Sequence, residues 1–123
     1  MARYLTVAAF RWLALTGTMH FVIDVVSQYW RGKRAPGPET TLYYGLNSAF
    51  ALSQVLFGLL CLWAMRKQPD LLRDPMVMVL SVAGGAAWLT LTFLAMDYWE
   101  PKLNAGIFAV LLITAIVVGR SQR

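Results

Sequence analysis

The stretch WLALTGTMHFVIDVVSQYW, residues 12–30, decides the fold. Coiled as an α-helix at about 1.5 Å per residue, it comes close to the roughly 30 Å hydrocarbon core of a bilayer. It shows no period-two alternation, so a membrane strand is a poor alternative. Its ionisable residues are His20 and Asp24, four apart and therefore on one helix face. No small-residue cleavage site follows, so the segment reads as a retained helix rather than a signal peptide.

Three further apolar blocks follow, Gly45–Trp63, Met76–Met96 and Leu103–Gly119. Only helices satisfy every backbone group of an open segment in lipid. The expectation is therefore an all-α membrane protein, a bundle of four transmembrane helices over about 5–30, 42–65, 76–99 and 103–120, forming one domain over 1–123. Pro36, Gly37 and Pro38, then Pro69 and Pro75, then Pro101 punctuate the connections and avoid the spans. Composition agrees: 59% of residues are hydrophobic and 14% charged, which excludes disorder and makes an ordinary water-soluble globule a poor fit.

Orientation follows from Lys and Arg. Arg3, Arg11, Arg66, Lys67, Arg73, Arg120 and Arg123 fall on one side, and Arg31, Lys33, Arg34 and Lys102 on the other. Asp70 and Asp74 join the first side, while Asp24, Glu39, Asp97 and Glu100 balance the second, so the whole net charge of +5 sits with the termini. The positive-inside rule then puts both termini in the cytoplasm, in a bacterial inner membrane. The charges flank the spans and form no continuous stripe, which argues against nucleic acid as a partner. Tyr29, Trp30, Tyr43, Tyr44, Tyr98 and Trp99 fit an outer aromatic belt, and Tyr4, Trp12 and Trp63 an inner one. Cys61 is the single cysteine and permits neither an internal disulfide nor a cysteine cluster.

Two repeated helical hairpins are a further expectation. Trp12-Leu13-Ala14-Leu15-Thr16 running to Met19-His20 parallels Trp88-Leu89-Thr90-Leu91-Thr92 running to Met96-Asp97. Leu46-Asn47-Ser48-Ala49-Phe50 likewise parallels the segment opening at Leu103-Asn104-Ala105. A duplicated hairpin pairs Asn47 with Asn104, brings the equivalent of Asp97 near His20, and sets a ligand between the halves.

Ionisable residues inside a span are functional candidates by default. His20 and Asp24, with Gly17 expected to leave space beside them, suit general acid–base work, the carboxylate orienting the imidazole. Asp97 or a tyrosine hydroxyl supplies a complementary proton. Asn47, Gln54, Gly58 and Cys61 share one stripe of the second helix. The candidate catalytic set is thus His20, Asp24 and Asp97, and the candidate substrate-binding set Asn47, Asn104, Tyr43, Tyr44 and Trp88. Trp88 and the small-residue patch Gly84–Ala87 also read as helix packing. A metal site from His20, Asp24 and Asp97, or a haem on His20 and Met96, has too few ligands to be expected, and no cofactor is.

The stretch Gly17-Thr18-Met19-His20-Phe21, the run Tyr44-Gly45-Leu46-Asn47 continuing to Phe57-Gly58-Leu59-Leu60, and the hairpin-pair layout resemble the small four-helix bacterial membrane proteins grouped as DoxX-like. The resemblance implies an inner-membrane bundle, in some members an accessory to quinone-linked oxidoreductases. A more distant likeness is to four- or five-helix membrane isomerases that use an acidic residue and a His in a lipid-facing cavity. No catalytic residue carries over from either. The function expected is binding of a lipophilic small molecule or lipid in a polar pocket of the outer half, with acid–base conversion by isomerisation, cyclisation or epoxide opening. The alternatives are an oligomeric transporter or channel, and an accessory subunit docked on a larger membrane enzyme.

Overall fold

The computed structural model describes residues 1–121, with backbone alone at Leu72. Arg123, counted above among the basic residues, lies outside the described residues. The described chain is all-helical, with four helices long and apolar enough to span a membrane: α1 (Ala2–Trp30), α2 (Pro38–Lys67), α3 (Pro75–Ala95) and α4 (Glu100–Ser121). A single 3₁₀ turn, Pro69–Arg73, joins α2 to α3.

Local chemistry sets the ends. Gly32 adopts φ +56°, and across it the Lys33 amide reaches back to the Gln28 carbonyl at 3.1 Å. That is a glycine stop, since a side chain is strained in this left-handed conformation. Pro38 opens α2 and Pro75 opens α3 at positions where a missing N–H costs nothing. The Asp74 carboxylate accepts from the Met76 and Val77 amides at 2.8 and 3.3 Å and caps α3. Arg66 and Lys67 sit in the last turn of α2, where cations complement the helix dipole.

α1 is the central helix, packed on α2 and α4, while α3 packs on α4. Phe10, Leu13, Phe50, Trp88, Phe108 and Leu112 form the core. The α1–α2 seam is very close. A Cβ on Gly58 would lie 2.9 Å from the Phe10 carbonyl, and one on Gly17 2.9 Å from the Ala51 carbonyl. Small residues that let backbones approach are how apolar helices gain contact area without a hydrophobic drive between them. The space expected beside Gly17 is therefore occupied by α2 itself.

The helices differ in length: 29 and 30 residues for α1 and α2, against 21 and 22 for α3 and α4. Gly119 faces Ala2 at the end holding the first residues, and His20 stacks on Tyr98 at the other. The surplus of α1 and α2 therefore projects past the α3–α4 corner by roughly 15 Å. The segment Phe21–Ser27 packs on α2. Val22, Ile23, Tyr29, Trp30, Leu42 and Leu46 are half exposed or more on this projection.

Phe21–Ser27 is a π-helix, directly after His20 and enclosing Asp24. Sequence periodicity treats α1 as regular throughout, so this widening is new. π segments are rare and occur mostly where function or strain holds them. α3 also ends at Ala95 rather than near residue 99, which puts Met96–Trp99 in a non-helical corner.

Candidate functional site

His20 ends the regular part of α1 and turns into the bundle, with its side chain 7% exposed. Its Nδ1 lies 2.9 Å from Asp24 Oδ2, and its Nε2 lies 3.0 Å from Asn47 Oδ1. The amide of Asn47 has a fixed sense: its Nδ2 donates to the Tyr43 carbonyl at 2.9 Å, so Oδ1 faces the imidazole. An amide oxygen only accepts, so Nε2 carries a proton and donates it. Nδ1 faces a carboxylate oxygen at hydrogen-bond distance, which requires a second proton between them. The His20–Asp24 pair therefore holds two protons and is neutral overall.

Asp24 accepts a further bond from Gln28 Nε2 at 3.3 Å, extending the line His20–Asp24–Gln28 along α1. The imidazole is walled by Phe50, edge-on at 5.3 Å, and by Tyr98, stacked at 6.4 Å with the rings 11° from parallel. The site is a closed network in which His20 is enclosed. Its open edge is Asp24, 17% exposed, with the half-buried Tyr98.

Tyr98 is inward because of the corner it stands in. Lys102 folds back from α4 and donates to the carbonyls of Met96 and Tyr98, at 2.5 and 3.1 Å, holding the turn. The Tyr98 hydroxyl oxygen is buried and has no hydrogen-bond partner among the described residues. Burial, then the neighbouring Asp24 and Tyr43, push its pKa well above the ordinary tyrosine value. The phenol keeps its proton.

The other expected residues separate. Asp97 is exposed and does not approach His20, because α3 ends before it and the corner turns Tyr98 inward instead. His20, Asp24 and Asp97 do not converge on a metal; among the described residues no three His, Cys, Asp or Glu side chains do. Both ring nitrogens of His20 are taken, so no axial position is left for a haem. Asn104 contributes its backbone carbonyl, which accepts from Trp12 Nε1 at 3.1 Å, and its amide bonds to no described residue. Trp12 thereby belongs to the α1–α4 seam rather than to a belt. Trp88 is a core residue, donating to Ser53 Oγ at 3.0 Å and packed on Phe57 and Phe108. Tyr43 enters the network through its carbonyl, while its ring carries the Arg34 guanidinium at 3.4 Å. Tyr44 packs edge-on against Tyr29 and Tyr43.

Sequence reasoning omitted Gln28 and left Tyr98 among several hydroxyl donors. The spacing of four from His20 to Asp24 to Gln28 carries a signal for the first. Nothing local distinguishes Tyr98 from Asp97 until the end of α3 is known. Beside the network, Val25, Val26, Tyr29 and Trp30 line an open, largely apolar hollow of about 450 Å³ on the projection. No family model matches this chain, and neither a curated protein nor a solved structure matches it.

Proposed function

We propose that this chain is a multi-pass membrane protein that binds a lipophilic small molecule by its polar end at the Asp24–Tyr98 edge. In this reading α3 and α4, about 32 Å long, match the hydrocarbon thickness, and both termini lie in the cytoplasm of a bacterial inner membrane. The His20 network then stands level with the α3–α4 corner, at the outer interface, and the apolar projection above it continues into the headgroup region. A ligand reaches the edge sideways from the lipid, its chain against Val25, Val26, Tyr29 and Trp30.

The observation that carries this reading is the closed, neutral His20–Asp24–Asn47 network with one polar edge left open on an apolar surface. Ionisable residues near a membrane interior are retained where they act. His20 and Asn47 are positioning residues that hold Asp24 and its proton. Acid–base conversion of the ligand runs through Asp24, with the imidazole as the proton store behind it. The channel alternative has the core against it, because Phe10, Leu13, Phe108 and Leu112 fill the bundle axis beneath the network.

The test is mass spectrometry of hydrophobic compounds extracted from the purified protein. The wild type is expected to retain one lipophilic compound that Asp24→Asn loses by tenfold or more at unchanged helicity. The same phospholipids on both proteins, and nothing else, overturn the reading.

A further inference from the structure

Among the described residues, one fully buried side-chain polar atom at the network has no hydrogen bond. His20 gives both ring protons away, the Asn47 amide is engaged at both ends, and each Asp24 oxygen accepts a bond. The exception is the Tyr98 hydroxyl, buried close to Asp24 and Tyr43 but outside hydrogen-bond geometry with any described residue. A buried polar group left unpaired is destabilising by about 1–3 kcal/mol in general, so such an atom calls for a partner from outside the described residues.

We infer that the Tyr98 hydroxyl is the donor that meets the ligand, and that the ligand's polar end is an uncharged oxygen acceptor: a ketone or quinone carbonyl, an ether or an epoxide. This rests on the binding reading above and names its ligand class. The hydroxyl is a donor because its burial and the nearby carboxylate keep the phenol protonated. The ligand is uncharged because the pair that borders the hydroxyl, His20 with Asp24, offers it no net charge. The His20–Asp24 pair already sums to zero. The Lys102 ammonium is engaged by the carbonyls of Met96 and Tyr98, and the Asp97 and Glu100 side chains at the corner are exposed. An ammonium or carboxylate headgroup would lose its water beside a pair that offers it no net charge. An oxygen acceptor closes the network at its buried open donor and leaves the remaining bonds as they are. The apolar hollow at Val25, Val26, Tyr29 and Trp30 suits the hydrocarbon part of the same molecule.

The experiment uses the full chain in lipid nanodiscs with 2-dodecanone carrying a ¹³C carbonyl, and dodecanoate and dodecylammonium as same-length comparators. The wild type is expected to bind the ketone and to shift its carbonyl stretch to lower wavenumber. Tyr98→Phe keeps the ring on His20 and removes only the hydroxyl. It is expected to abolish the shift and to weaken ketone binding roughly five- to tenfold, the worth of one hydrogen bond in a dry site. Ketone bound with an unshifted carbonyl, or bound equally by Tyr98→Phe, overturns the inference while leaving the binding reading standing. So does preference for either charged comparator. A wild type that binds none of the three overturns it as well, and the extraction experiment then decides the broader reading separately.

Discussion

The two helical hairpins are joined by different kinds of seam. Between α1 and α2 the contact is backbone on backbone, at Gly17 against the Ala51 carbonyl and at Gly58 against the Phe10 carbonyl. Between α3 and α4 it is glycine on ring, with the Phe108 side chain over Gly85. A carbonyl cannot move aside, whereas a phenyl ring can turn. The first hairpin is thus the stiff one, and it carries the His20–Asp24–Asn47 network on its two facing helices. The second is shorter, and supplies apolar packing and one corner residue, Tyr98. Positional precision is concentrated where polar atoms must meet within 3 Å.

Substitutions at the glycines break this contrast most directly. Gly17→Ala and Gly58→Ala force the α1 and α2 backbones apart, and each is expected to destabilise by about 1–3 kcal/mol despite the better helix propensity of alanine. Gly106 of α4 has open space where a Cβ would go, and Gly106→Ala is expected to be neutral or stabilising by about 0.5–1 kcal/mol. Thermal unfolding in detergent measures the series. If Gly58→Ala proves as stable as Gly106→Ala, the close seam is wrong.

A smaller effect sharpens the contribution of the second hairpin. The pKa of Tyr98 is raised in the folded chain, so the unfolded chain releases this proton first as pH climbs past about 10. The stability tied to this group is complete below that pH and is lost above it. The wild type is expected to lose thermal stability more steeply than Tyr98→Phe between pH 9 and 11. Parallel curves would remove Tyr98 from the buried corner.

Much of this was legible in the residues. The four apolar blocks gave four helices, because length and hydropathy suffice to identify a span. The spacing of His20 and Asp24, and the stripe carrying Asn47, Gln54 and Gly58, named most of the network. What escaped was relative depth. An apolar block states how long a helix is, not how far it slides against its neighbours, so the projection of α1 and α2 past the corner was hidden. The end of α3 at Ala95 was hidden for the same reason: Met96 is as apolar as the helix before it. With that end misplaced, Asp97 looked like a site residue and Tyr98 one hydroxyl among several. The π segment left no trace in periodicity, since Val22, Ile23, Val25 and Val26 suit either winding.

Because the chain has one histidine, ¹⁵N labelling of histidine reports on a single ring. Nitrogen NMR of the purified protein at neutral pH is expected to show Nε2 protonated and bonded to Asn47, with a second proton shared between Nδ1 and Asp24. An unprotonated Nε2, or ring protons in contact with lipid acyl chains, would contradict the inward, doubly donating imidazole on which the site is built.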